Sequence, residues 1–488
     1  MSALLKLWGL GSFVPTYSYI KWLLISFICL QGALIAFYIL YPASFVPFVI
    51  SALLLTIFLT LMFHNPLYGL LFIVVTMIVT NHYFPFAAVL VFRERMLLMV
   101  ILLLFLVTSG AAGSSILKGG DFSRPLLIFL AILFTSAIYG LARGNSQFIV
   151  AQEFEMYVYL LAYFMIVSLV NTPEDAKLVV STIIIATVTM AFIAVVIFFY
   201  MLQFKQIFFY KGSLGHVVYV KNAMIPRVIS NAEMFLPVTV NLIVSLLLFV
   251  RSTRATRYLL TSALIVLLFA VFISLTRGMW LSTLISTTIL IGYYLYLRGR
   301  RAFLNLARVS FIAVIILIIL AYTLASQPIW QRIVDLGAIR ATSIFQGTLD
   351  ISLFNRYQEI LQVMKSVRSH PLFGIGLGAI ISWRDMLFPW ITHAVFYIHN
   401  SYFWMLLKMG IIGISAFTVI LYFVFRKAIT LLRTLESSYQ RAIIAGLSTG
   451  LVSVLIFSIT SPFINLGAGN FYIALTIGLI TVVEKLNR

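Results

Sequence analysis

"YIHNSYFWMLLKMGIIGI", residues 397–414, opens with a polar pair and continues as an apolar run. From Tyr402 to Phe425 that run is long enough to cross a bilayer as a helix. A histidine and an asparagine stand at its first turn. An asparagine there is suited to capping the helix. A histidine at a membrane boundary is more often a hydrogen-bonded structural residue than a base, so the surroundings of His399 decide its meaning.

The same apolar pattern fills the chain. Of its 488 residues, 62% are hydrophobic and 9% charged, too few charges to cover a soluble fold of this length. Fourteen runs read as spans: Trp22–Leu40, Ser44–Phe63, Leu67–Thr80, Met96–Gly113, Pro125–Leu141, Met156–Val170, Leu178–Leu202, Phe235–Val250, Tyr258–Leu275, Met279–Leu297, Val309–Ala325, Tyr402–Phe425, Ala442–Ile459 and Ile464–Val483. The expected fold is an all-α polytopic membrane protein of about 12–14 transmembrane helices, a single integral membrane domain over 1–488. The N-terminal stretch has no small-residue cleavage site and reads as an uncleaved first segment. A single cysteine, Cys29, allows no intrachain disulfide. The net charge of +20 falls mostly in short connections between spans, which points to the anionic surface of a lipid bilayer rather than to nucleic acid.

Three connections are strongly basic: "RSTRATR" (Arg251–Arg257), "RGRRAFLNLAR" (Arg298–Arg308) and "RKAITLLRTLESSYQR" (Arg426–Arg441). Even numbers of spans separate them, so all lie on one side, which the positive-inside rule makes cytoplasmic together with both termini. "RER" at Arg93–Arg95 falls outside, against that rule. Four segments then share the outer face: the loop 203–232, the tight turn "SLTRGMW" (Ser274–Trp280), the long loop 326–398 and "SPFINLGAGN".

The long loop is patterned. In "LFNRYQEILQVMKSVRS" (Leu353–Ser369), helical spacing puts Leu353, Tyr357, Ile360, Leu361, Val363, Met364 and Val367 on one stripe. Asn355, Gln358, Glu359, Gln362 and Ser366 share the other stripe. Arg356 falls inside the apolar stripe, where it needs an anionic partner, either a carboxylate or a phosphate. Arg277 sits between two spans with almost no loop, and Arg227 just before another. Each alone reads as an interfacial anchor. Three arginines on the side the charge rule disfavours are a set suited to a pyrophosphate, which guanidinium groups grip in a fork. No Asp-x-Asp pair or metal-spaced histidine pair accompanies them, so neither a metal nor a cofactor is expected. "GIGLG" (Gly374–Gly378) follows no strand and is not read as a nucleotide loop. No apolar run carries a carboxylate near its middle, which counts against an ion-coupled transporter.

"NRYQEILQVMKSVRSHPLFGIGLGA" followed by "HNSYFWMLLKMGIIGI" resembles the O-antigen ligase and polymerase superfamily: an arginine-led helix, a His-Pro-Leu-x-Gly-x-Gly-x-Gly turn, then His-Asn before a span carrying Gly-x-x-Gly. "SLTRGMW" resembles the family's Ser-Arg-Gly turn with Thr276 for serine, and "RVISNAEMF" its Arg…Asn segment, with Asn231-Ala232-Glu233 for the usual Asn-Pro-Asn. The resemblance runs from Arg227 to Gly413. It implies periplasmic loops at 203–232 and 326–398 in a bacterial inner-membrane protein. It also implies metal-independent, inverting glycosyl transfer from an undecaprenyl-pyrophosphate-linked glycan, with His399 as general base and Arg227, Arg356 and Arg277 on the pyrophosphate. The ligase form, with a lipid A–core acceptor, is the expectation. A polymerase, a protein O-oligosaccharyltransferase and, from another class, a lipid-linked oligosaccharide flippase are the alternatives.

Overall fold

A computed structural model describes residues 57–62, 64–79, 99–101, 120–204, 211–212, 215–219, 226–230, 232–297, 299, 351–384, 390 and 392–488. The expected spans Trp22–Leu40 and Val309–Ala325, and most of Ser44–Phe63 and Met96–Gly113, lie outside them. Among the described residues, eight helices are long and apolar enough to cross a membrane, so the chain is a multi-pass, all-α membrane protein.

Helix α1 (Pro66–Val79) is buried on nearly every side and stands inside the bundle. Helix α2 (Ser123–Ala142) precedes a bent span, α3 (Gln147–Val158), a 3₁₀ turn and α4 (Ala162–Leu169). The long α5 (Pro173–Phe204) leads to a three-stranded antiparallel sheet, β1 (Lys211–Gly212), β2 (Gly215–Tyr219) and β3 (Pro226–Ser230). Next come α6 (Phe235–Phe249), α7 (Arg254–Ile273) and α8 (Arg277–Leu297). Helix α9 (Ile351–Ser369) is followed by a glycine-rich turn and a hairpin of β4 (Ile381–Arg384) and β5 (Thr392–Val395). Three helices close the chain: α10 (Ser401–Thr434), α11 (Ser438–Phe457) and α12 (Gly467–Asn487). The two small sheets are absent from the sequence expectation. Val228 of β3 packs with Ala194 and Phe198 of α5 and Ile273 of α7, so the sheet caps the ends of those helices.

Apolar residues face two ways. On α2, Leu126, Phe129 and Leu133 are buried, while Ile128, Phe134 and Ile138 are exposed as a lipid-facing flank would be. Since lipid is as apolar as leucine, helices associate by close packing. Gly446 and Gly450 on α11 serve that purpose. A β-carbon on either would press on α6 or α12, at Leu242, Ser245 and Tyr472.

The helix ends sort into two groups. At one end, Lys427 of α10 bridges Asp121 (2.8 Å) and Glu484 (2.7 Å), and Lys485 reaches Asn171 (3.5 Å). The Lys427 ammonium holds the Asp121 carboxyl below its ordinary range. The basic connection Arg251–Arg257 and the basic stretch Arg426–Arg441 belong to this end with the C-terminus, for Phe249 packs on Tyr293 and the Tyr293 hydroxyl donates to the Leu432 carbonyl (3.1 Å). At the other end lie the starts of α6, α8, α10 and α12. For Arg251–Arg257 and Arg426–Arg441 this agrees with the expected grouping of basic loops against the outer segments, while the third basic connection, Arg298–Arg308, lies outside the described residues except for Gly299.

Helix α10 is broken. Gly410 takes φ 63°, ψ −163°, so the helical bonds from Ile411 to Leu407 and from Ile412 to Lys408 are lost. The turn after α9 replaces them. Ile375 and Gly376 N–H donate to the Leu407 and Lys408 carbonyls (2.8 and 3.2 Å), and Ile411 and Ile412 N–H donate to those of Pro371 and Leu372 (2.9 and 3.2 Å). Gly374, Gly376 and Gly378 all have positive φ, the left-handed region only glycine occupies without strain. A β-carbon at Gly374 would strike the Leu407 carbonyl, and one at Gly410 the Leu372 carbonyl. This is what the "GIGLG" run does: it is a plug for a helix break.

The turn is fixed on its other side by α2 and α3. Leu377 N–H donates to the Ser136 carbonyl (3.2 Å), Asn145 Nδ2 to the Leu377 carbonyl (2.7 Å), and Gly378 N–H to Glu153 Oε2 (2.6 Å). Lys408 Nζ donates to Glu153 Oε1 (2.7 Å) and to the Ala379 carbonyl (2.5 Å), with the Trp404 ring 5.6 Å away. Lys408 and Glu153 are 0% and 5% exposed. The expectation that no span carries an internal carboxylate is therefore corrected. The span begins at Gln147 rather than Met156 and takes in Glu153. The hydropathy pattern trimmed it because a neutralised carboxylate still counts as polar in a sequence.

Two outcomes follow. Gly410→Ala should destabilise the protein by about 1–3 kcal/mol or more, while Gly292→Ala, with nothing within 4 Å of the new carbon, should be neutral. Thermal unfolding in detergent separates them. Lys408→Met leaves Glu153 buried without its cation and should cost about 3–5 kcal/mol, and Lys408→Met with Glu153→Gln should recover part of that loss in the same assay.

Candidate active site

The plug dictates what lies beside the start of α10. It joins the C-terminal end of α9 to α10 at residues 407–412, and the two helices run back along each other from there. Ten residues separate Glu359 from Ser369 on α9, and ten separate His399 from Met409. Each stretch rises about 15 Å at helical pitch, so Glu359 and His399 come level.

They meet there. Glu359 Oε1 lies 2.7 Å from His399 Nδ1, and Glu359 Oε2 accepts the His399 backbone N–H at 2.9 Å. The Glu359 side chain is 3% exposed and the His399 side chain 38%. One carboxylate thus fixes both the backbone and one ring edge of the histidine, while part of the ring stays open. The Tyr397 ring stands edge-on at 5.5 Å. Asn400 caps α10: its Oδ1 accepts the N–H groups of Tyr402 (3.0 Å) and Phe403 (3.1 Å), as the sequence suggested.

The buried face of α9 carries Glu359, Val363 and Val367, with Arg356 half-buried on the same side. The expected apolar stripe is corrected on this point. Tyr357 and Met364 are exposed and Glu359 is buried. The face is rotated by less than one residue step of about 100°, because the carboxylate has a partner and polarity alone could not reveal it. Arg356 stands one turn before Glu359.

Arg277 opens α8 and is half-buried. The turn before it is tight: Leu275 has φ 49°, Ser274 Oγ donates to the Val271 carbonyl (2.7 Å), and Trp280 Nε1 donates to the same carbonyl (2.9 Å). Thr276 Oγ1 donates to Glu233 Oε1 (3.2 Å), which ties this turn to the start of α6. The connection after α11 gathers the two helix starts. A β-carbon at Gly278 would strike Thr460, while Ser401 N–H donates to the Ser458 carbonyl (2.9 Å) and Ser401 Oγ to that of Ser461 (3.2 Å). Arg277 opens one helix and His399 stands two residues before another, both helix starts seated on one short segment, which Asn465 fixes by accepting from Tyr157 (2.9 Å) and donating to the Ser401 carbonyl (3.3 Å). Arg227 lies in β3 opposite Val218, next to the Val228 that packs on the end of α7.

Among the described residues, no group of three His, Cys, Asp or Glu side chains is placed to hold a metal ion. His370 has a separate setting, with Nε2 2.9 Å from Arg143 Nη1 and Nδ1 2.9 Å from Ser369 Oγ. Glu359 is the residue that sequence reasoning missed. The signal was present: a chain with 13 carboxylates in 488 residues spends one on a helix already marked by Arg356.

Residues 262–418 match the family model described as O-antigen ligase. The match takes in 157 of 488 residues, about a third of the chain, and contains Arg277, the α9 helix, the glycine plug, His399 and the broken first half of α10. Arg227 lies before it. No curated protein matches the chain. Residues 262–418 are thus similar to the O-antigen ligase family, in the part of the chain where the resemblance was read.

Removing the cap tests how firmly His399 is seated. Asn400→Ala should cost about 1 kcal/mol, whereas Asn400→Asp, which keeps the accepting oxygen, should cost less. Thermal unfolding of the detergent-solubilised variants measures the difference.

Proposed function

We propose that the protein transfers a glycan from an undecaprenyl-pyrophosphate donor to a sugar hydroxyl of lipid A–core, as an O-antigen ligase of the bacterial inner membrane. The observation that carries this reading is a half-open histidine, gripped by a buried carboxylate, beside the helix of Arg356 at the end of the bundle away from the basic connections. That end is periplasmic in this reading, with the loops at 203–232 and 326–398 on it and the basic end and both termini in the cytoplasm.

The donor pyrophosphate docks against Arg356, Arg277 and Arg227. His399 takes the proton of the acceptor hydroxyl as its oxygen attacks the anomeric carbon. The bond from that carbon to the pyrophosphate oxygen breaks, and the electron pair leaves with the pyrophosphate. The arginines offset the charge that grows on it. A single displacement inverts the anomeric centre. A site at the bundle end keeps the polyprenyl chain in the bilayer while the sugar reacts in water.

The test is transfer in vitro by the purified protein, with a defined polyprenyl-pyrophosphate glycan and two acceptors in parallel, lipid A–core and a second molecule of donor. Product on lipid A–core is expected, and product on the second donor would make the protein a polymerase. Transport of the donor across proteoliposomes without transfer would support a flippase and sink the proposal. His399→Ala should lower the rate on the order of 10²–10⁴-fold in folded protein. Arg356→Lys, which keeps the charge but loses the fork, should lower it roughly tenfold or more.

A further inference from the structure

We infer that Glu359 is a positioning residue for His399, holding the imidazole in the tautomer with its proton on Nδ1 and leaving Nε2 as the proton acceptor. The inference deepens the transfer reading above and rests on it.

Among the described residues, the hydrogen bonds of the Glu359 carboxylate run to one partner. Both of its oxygens are engaged by the same residue, one by the His399 backbone N–H at 2.9 Å and one by the ring Nδ1 at 2.7 Å. An ionised carboxylate only accepts hydrogen bonds, so Nδ1 must carry the proton in this contact. A neutral imidazole has one N–H, and Nε2 is then the lone-pair nitrogen. The ring is 38% exposed against 3% for the carboxylate, so the edge away from Glu359 is the one a substrate can reach.

The pair also handles the charge made during transfer. When the acceptor O–H gives its proton to Nε2, the ring becomes a cation with Nδ1–H still on the carboxylate. The carboxylate stays ionised, and the proton returns to water once product has left. A hydrogen bond to an ionised acceptor strengthens when its donor becomes charged, so the contact favours the transferring state over the resting one. Arg356 stands one turn away on α9, and the Tyr397 ring lies 5.5 Å from the His399 ring on the segment before α10.

A purely structural Glu359, pinning α9 to α10, would affect folding and leave the ring's proton indifferent. Three measurements separate the roles, all on the full-length protein. ¹⁵N NMR of histidine-labelled wild type should show His399 protonated at Nδ1 and bare at Nε2. The opposite tautomer overturns the inference without any variant. Glu359→Gln offers Nδ1 an amide that can donate as well as accept. It should lower kcat about 10²–10⁴-fold with donor KM within about threefold, and Glu359→Asp should recover part of the rate. A Glu359→Gln enzyme with wild-type kcat, or one whose loss appears only as a lower unfolding temperature, overturns it. His399→Ala distinguishes this failure from that of the transfer reading. If His399→Ala is active, the histidine is not the base. If His399→Ala is inactive and Glu359→Gln is fully active, only the role of Glu359 falls.

Discussion

The break in α10 at Gly410 is the constraint on which the rest of the structure depends. Four backbone groups lose their helical partners there, in a span where lipid offers none. The turn 371–376 supplies all four, by adding two short stretches of backbone across the gap. Such a plug is possible only with glycine at the contact points, since a side chain on either surface meets a carbonyl oxygen. Irregular backbone inside a bundle must have each polar group satisfied, and the Lys408–Glu153 pair completes that requirement at Gly378 and Ala379. A buried ion pair contributes little net stability on its own. Its value here is in fixing one register of the turn against α2, α3 and α10.

From that register the site follows. A turn clamped at 407–412 sends α9 back along the first half of α10, and equal rise on the two helices brings Glu359 to His399. The α10 start is seated in turn on the connection 458–465, which also receives the start of α8 at Gly278, next to Arg277. His399 and Arg277 are thus held at helix ends by buried backbone contacts, which in the proposed transfer suits the alignment of a lipid-borne donor with a second large substrate.

The spans and their grouping by charge were legible in the sequence because hydropathy and loop lysines and arginines are direct records of the bilayer. Arg356 on the buried side of α9, Asn400 as a cap and His399 at the helix start were legible for the same reason: each is a local pattern. What was not legible depends on distant partners. Glu359 read as a solvent-facing residue, because its partner is 40 positions away. Glu153 was trimmed from its span, because Lys408 is 255 positions away. "GIGLG" showed that glycine was needed, but the reason, a break in a helix 32 residues later, lies in tertiary structure alone.

In the proposed reaction a pyrophosphate leaving group and a Glu359-held histidine share one site. A cryo-electron-microscopy structure of the protein in a lipid nanodisc, with a non-hydrolysable polyprenyl-pyrophosphate glycan bound, tests it most directly. The pyrophosphate oxygens should lie against Arg356 and Arg277, with the anomeric carbon facing the Nε2 edge of His399. A pyrophosphate bound at the basic end near Lys427, or one at the expected end with the His399 ring turned away from the sugar, would contradict it.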